Sequence, residues 1–154
     1  MMSWADELHD ILLQVSGVMN RSDVDARFLT RAGVKLDRAL FPLLTRIGSA
    51  GPLGAVELAG LVGRDHSTVS RQVSRLEELG LIQRTPSPAD GRIRLLSPTA
   101  SGKQMLAEFA RTRRRLTEEY FADWSDHEQA ELLRLLRKMA TGIDRAAGPD
   151  GSGA

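Results

Sequence analysis

The chain has no cysteine in its 154 residues. That excludes disulfides, thiol redox sensing and a cysteine nucleophile, and it fits a cytoplasmic setting. Long apolar runs are missing too: none approaches the ~18 residues that a membrane-spanning helix needs. The N-terminus MMSWADELHD is acidic and lacks the cationic start and apolar core of a signal peptide. Neither a G-x-S-x-G elbow, a phosphate-binding loop nor a metal signature occurs, so nothing points to an enzyme. His9, His66 and His127 are scattered, with no pair at i,i+4, so neither a metal site nor any cofactor is expected. A strong charge of either sign is also lacking. The net charge is +1, which excludes a basic tail-type binder.

What is present is a normal globular balance, 42% hydrophobic and 27% charged. The charge is unevenly placed. Residues 62 to 104 carry +3 and the remainder −2, as for a phosphate-facing centre between neutral to acidic flanks.

Apolar spacing predicts a helix over residues 4 to 19, with Ser3 as N-cap. A second piece is expected behind Ser22, ending at Gly33. A third follows Asp37 and carries Leu40, Leu43, Leu44 and Ile47, with Pro42 near its start, where proline costs least. SAGPLG reads as a loop, and AVELAGLV as a short apolar helix ending at Gly63. A helix over 66 to 79, capped by Asp65, ends at Gly80. Then the period changes. LIQRT and IRLLS are short β-prone runs around PSPADGR, an Asp-Gly turn in a hairpin loop of several residues. Residues 99 to 124 read as one long helix. Ser125 and Glu128 form a capping box that starts a last helix through Ile143. The tail, 148 to 154, is expected to be disordered.

The stretch RDHSTVSRQVSRLEELGLI carries the functional signal. On a helical wheel Val69, Val73 and Leu76 fall within about 60° on one face. Ser67, Arg71, Ser74 and Glu78 lie opposite, and Thr68, Ser70 and Arg75 flank them. An ordinary solvated face would carry Glu and Lys. Small hydroxyl residues instead let a helix sit deep in a DNA major groove, where Arg reaches a guanine edge or a phosphate. His66 stands where it can touch phosphate at the helix start. Ala59, Gly63 and Val69 match the spacing of a helix-turn-helix: a small residue at the helix crossing, a turn glycine and an apolar pin. Gln72 departs from that pattern, because an aliphatic residue is common there; Val73 is expected to take over its packing.

The hairpin adds Arg84, Arg92 and Arg94. An arginine at the tip of such a wing can enter a narrow minor groove. Asp90, two residues before Arg92, is expected to hold its guanidinium by a bidentate pair. Arg84 and Arg94 stay open between DNA contact and plain solvent-facing strand positions.

DHSTVSRQVSRLEELGLIQR followed by DGRIRLLSPTASG resembles the MarR family of winged-helix regulators. Asp90-Gly91-Arg92 matches the D-x-R wing motif. Thr99 and Gly102 match the family's entry to the next helix more loosely, with Ser97-Pro98 intervening. The specific motifs cover about residues 53 to 102. The resemblance implies a mainly α fold with a small β-hairpin wing: a winged helix-turn-helix DNA-binding lobe plus a helical dimerisation domain. It also implies a homodimer on a near-palindromic double-stranded DNA operator, repression or activation there, and a small-molecule effector. The expected division is 1–36 and 101–147 for dimerisation, with 37–100 for DNA binding.

The end helices fit such a dimer. Leu8, Ile11, Leu12 and Val15, with Leu132, Leu133, Leu135 and Leu136, offer apolar surface that one short chain would struggle to cover. Trp4 and Trp124 are read as dimer-core packing rather than ligand boxes. The run RTRRR at 111 to 115 has Glu108, Glu118 and Glu119 as helical partners, so it reads as a salt-bridged face; lining an anionic-ligand pocket is its other reading. Two rival functions remain. One is a winged-helix interaction module whose recognition face binds protein or RNA instead of DNA, which the Ser/Arg face and Arg92 at the wing tip disfavour. The other is an enzyme or small-molecule binder on the same dimer, for which catalytic residues are lacking.

Overall fold

The computed structural model describes residues 1–148, so all but the first residue of the tail expected at 148 to 154 lies outside the described residues. The chain forms two compact units, Met1–Arg113 and Arg114–Ala154. The elements are α1 (Trp4–Met19), α2 (Ser22–Ala32), α3 (Phe41–Ala50), α4 (Ala55–Val62), α5 (His66–Glu78), β1 (Ile82–Pro86), β2 (Arg94–Pro98), α6 (Ala100–Tyr120) and α7 (Asp126–Ala146). The architecture is the expected one, mainly α with one small hairpin.

Ser3 caps α1 in a box with Asp6: its hydroxyl accepts from the Asp6 N–H at 3.2 Å. α2 starts one residue earlier than expected. Ser22 is its first helical residue, and Arg21 holds the cap position with its guanidinium on Asp23 at 3.0 and 2.8 Å. α3 starts later than expected. Asp37 first closes a turn, its carboxylate accepting from the Ala39 N–H at 2.8 Å and its carbonyl from the Leu40 N–H at 2.9 Å. The α-helix begins only at Phe41, with Pro42 in its first turn.

The core of the first unit is aliphatic. α3 supplies Leu43, Leu44 and Ile47, α4 Leu58 and Ala59, and α5 Val69, Val73 and Leu76. Leu81, Ile82 and Leu96 close it from the base of the hairpin, and Leu29 comes from α2. Each of the leucines, isoleucines and valines among them contributes about 1.5–3 kcal/mol by leaving water. The rings of Phe28, Phe41 and Phe109 stack beside this core, the last two edge to face at 5.0 Å.

β1 and β2 pair antiparallel from Ile82↔Pro98 to Pro86↔Arg94. The SAGPLG segment is more than a loop: Leu53 exchanges two backbone hydrogen bonds with Leu96, at 3.3 and 2.8 Å, and so forms a short third edge to the hairpin. α5 ends with Gly80 at φ 72°, and the Leu81 N–H returns to the Leu76 carbonyl. Thr99 then ties three elements together. Its hydroxyl donates to the Gly80 carbonyl at 2.5 Å and accepts from the Gly102 N–H at 3.1 Å. Gly102 is buried, and a Cβ there would collide with the Leu81 carbonyl oxygen.

In the second unit α6 stops at Tyr120, short of the expected Trp124. A turn follows, with the Trp124 N–H on the Phe121 carbonyl and the two rings edge to face at 4.8 Å. That turn delivers Ser125 to its capping box with Glu128, as expected. Neither α1 nor α7 buries a single residue.

Candidate nucleic-acid interface

α4 and α5 are joined through Gly63, at φ 65°, whose left-handed backbone a side chain would resist. The Arg64 N–H returns to the Ala59 carbonyl at 3.1 Å. This turn delivers Asp65 as the N-cap of α5. One carboxylate oxygen accepts from the Thr68 N–H at 2.9 Å and the Ser67 hydroxyl at 2.6 Å; the other accepts from the Thr68 hydroxyl at 2.7 Å. These bonds, Ser67's first, hold the Asp65 carboxyl well below the usual carboxylate range. They also commit both hydroxyl protons inward. Ser67 and Thr68 therefore present acceptor lone pairs outward, suited to base amino groups; donating to a phosphate requires leaving Asp65 first.

Val69, Val73 and Leu76 are fully buried, so the face of α5 is set as the wheel predicts. His66, Ser67, Arg71 and Arg75 lie exposed on its outer side, and Thr68, Ser70 and Ser74 are half-buried. Arg75 pairs with Glu78 at 3.2 Å, an exposed pair of small worth. Among the described residues, Arg71 makes only a long contact, 3.4 Å, to the Thr68 hydroxyl.

Ser74 and Arg84 belong together. The Ser74 hydroxyl donates to the Ser70 carbonyl at 3.0 Å and accepts from Arg84 Nη2 at 3.1 Å. Arg84 also pairs with Glu77 at 3.5 Å, with only 26% of its side chain exposed. In this geometry Arg84 ties the hairpin to α5.

On the hairpin Arg92, Ile93 and Arg94 are exposed. Asp90 does not pair with the Arg92 guanidinium; its carboxylate accepts from the Arg92 backbone N–H at 3.0 Å. The Ile93 N–H returns to the Asp90 carbonyl at 3.0 Å, and the Ser87 N–H to the Ile93 carbonyl at 2.8 Å. A short Asx turn meets the carboxylate before a long side chain can, so Asp90 shapes the tip and leaves the guanidinium free to project.

One link in this lobe escaped the sequence reading. Arg64 Nη1 donates to the Ala39 carbonyl at 2.7 Å and to Gln72 Oε1 at 3.0 Å. The only signal was Gln72 itself, a polar residue at an aliphatic position. In the basic run, Arg111 is bonded to Glu108 as the salt-bridged reading expects. Among the described residues, no three His, Asp or Glu side chains gather as metal ligands, and no helix is long and apolar enough to cross a membrane.

A helix pair joined by a tight turn, an outward Ser/Arg face and an arginine-tipped hairpin define a winged helix-turn-helix DNA-binding protein. Comparison with known proteins narrows this. The MarR family model matches residues 36–93. An uncharacterized HTH-type transcriptional regulator of Bacillus subtilis, YxaD, is 36% identical over 104 residues, covering 68% of this chain and 73% of that protein. A probable transcriptional regulator from Pseudomonas aeruginosa, of known crystal structure, is 30% identical, with 81% of this chain and 96% of that one aligned at a TM-score of 0.56. A MarR family protein from Bacillus stearothermophilus shares the fold at a TM-score of 0.78, with 21% identity over 93% of this chain and 99% of its own. The chain belongs to the MarR family, and it is a DNA-binding transcriptional regulator, not an enzyme.

Proposed function

We propose that the chain acts in the cytoplasm as a homodimer on a near-palindromic operator, with α5 in the major groove and the wing, residues 84 to 94, in the adjacent minor groove. The observation that carries this reading is the outer face of α5, where Ser67, Arg71 and Arg75 stand exposed, together with the exposed Arg92 and Arg94 of the wing. Phosphate contacts by arginines and by the α5 N-terminus supply affinity, and Arg71 and its neighbours read bases.

The dimer is supported by apolar surface that the described chain leaves open. Ile11, Leu12 and Val15 on α1, and Leu133, Leu135 and Leu136 on α7, are all exposed; Leu8 and Leu132 are half-buried. Trp4 is 77% exposed, which suits packing against a second copy. In this reading residues 1–36 and 101–147 build the dimer and 37–100 bind DNA. Twofold symmetry then sets two copies of α5 in successive major grooves, ~10 bp apart.

A small effector has a place to bind. A cavity of about 400 Å³ is lined by Thr45, Gly48 and Ser49 of α3 and by Leu106, Phe109 and Arg113 of α6. Among the described residues, the buried Thr45 hydroxyl beside it has no hydrogen-bond partner. Apolar walls and one cation suit a small aromatic acid. By biasing the spacing of the two lobes, such a ligand changes affinity without touching DNA.

The test is a binding selection on genomic fragments at moderate salt, with native mass measured alongside. Twice the chain mass and enrichment of a near-palindromic site support the reading. A chain that enriches no fragment, with or without aromatic acids, returns α5 to the rival role of a protein-binding face.

A further inference from the structure

Arg64 joins three separated pieces of chain. It leaves the turn between α4 and α5, and one of its nitrogens meets both the Ala39 carbonyl in the turn before α3 and the Gln72 amide oxygen in the middle of α5. We infer that Arg64 is a positioning residue for DNA reading: through Gln72 it fixes the rotation of α5 about its own axis, and so sets which base edges Arg71 and Arg75 address. The inference rests on the operator reading above.

The buried stripe of α5 does not fix that rotation by itself. Val69, Val73 and Leu76 are held by apolar burial, which is non-directional and tolerates a small roll. DNA reading does not tolerate it. A roll of about 15° swings a guanidinium roughly 9 Å from the helix axis through about 2 Å, enough to break a bidentate base contact. A charge-assisted hydrogen bond has the directionality the stripe lacks. Gln72 lies between Arg71 and Arg75 along the helix and points to neither the core stripe nor the outermost face. A tether there resists rolling more than it resists lifting the helix away. Its anchor, the Ala39 carbonyl, belongs to the Asp37 turn, itself closed by two hydrogen bonds. The same geometry argues against Arg64 being a phosphate contact, because Nη1 is committed to two protein acceptors and the side chain is partly buried.

The test uses the full-length protein and the operator recovered by selection. Affinities for that operator and for a scrambled duplex are measured by fluorescence anisotropy over a range of salt, with thermal melting alongside. Arg64→Met and Gln72→Leu should each lower the specific-to-scrambled ratio about tenfold, the size of one misread base pair. The double variant should lose no more than either single change. Gln72→Glu keeps the acceptor, so it should keep the wild-type ratio while binding all DNA less tightly. Affinity for scrambled duplex and its salt slope should stay at wild type in Arg64→Met. A slope smaller by about 0.9 would make Arg64 a phosphate contact and overturn the inference. A lower melting temperature with an unchanged ratio would reduce it to a structural brace, and additive losses would break the link through Gln72. Wild-type protein that fails to discriminate the two duplexes sinks the operator reading, and the inference with it, before any variant is compared.

Discussion

Asp65 closes the N-terminus of α5 with both carboxylate oxygens, and one residue thereby sets a helix start and the chemistry of its neighbours. Its negative charge faces the positive end of the helix dipole, and it orders the Ser67 and Thr68 hydroxyls in the free protein. Because these bonds favour the ionised form, the carboxyl titrates lower in the folded chain than in the unfolded one, whose value is about 3.9. The unfolded state therefore takes up the proton first as pH falls. The stabilisation is complete above about pH 5, starts to fade near pH 4 and is lost as pH drops through the folded value. An Asp65→Asn variant keeps one cap acceptor and cannot titrate. The wild type should melt above it at pH 6, and the gap should narrow steadily below pH 4. A gap of constant size from pH 6 to pH 3 would show that the carboxylate contributes nothing as a charge.

At the scale of elements, the junction between α5, the hairpin and α6 is closely packed. Gly102 packs against the Leu81 carbonyl with no room for a side chain. Gly102→Ala should cost about 1–3 kcal/mol of stability and, because the obstacle is backbone, should shift β1 or α6 rather than a flexible side chain. Chemical denaturation reads the first effect. Loss of protection at the β1 amides in hydrogen exchange reads the second, and a neutral variant would show that the junction has slack. Much of this scale was legible in the sequence. Periodicity and caps placed α1, α4, α5, the hairpin and the start of α7, because those signals are local. Where a side chain had a choice of partners, sequence failed: Asp37 made its own turn and delayed α3, and Asp90 took a backbone N–H instead of a guanidinium. Longer reaches were invisible. Arg64 to Ala39 and Arg84 to Ser74 span 25 and 10 residues, and only the folded backbone brings such groups within bonding distance.

The whole molecule carries an imbalance: α3, α4 and α5 each bury at least two apolar side chains, while α1 and α7 bury no residue at all. If a second copy covers those end helices, one charged substitution there should be felt at the DNA. Leu136→Glu should halve the native mass. Each released subunit neutralises half as many phosphates, so the slope of log affinity against log salt should fall to about half the wild-type value. A variant that keeps the dimer mass would place Leu136 outside the interface. Finally, Thr99 makes one hub of the end of α5, the last strand of the wing and the first turn of α6. On the proposed reading, a movement of the first turn of α6 would reach the groove contacts of α5 and of the wing together. In the proposed dimer, each subunit would then grip its half-site with both hands or let go with both.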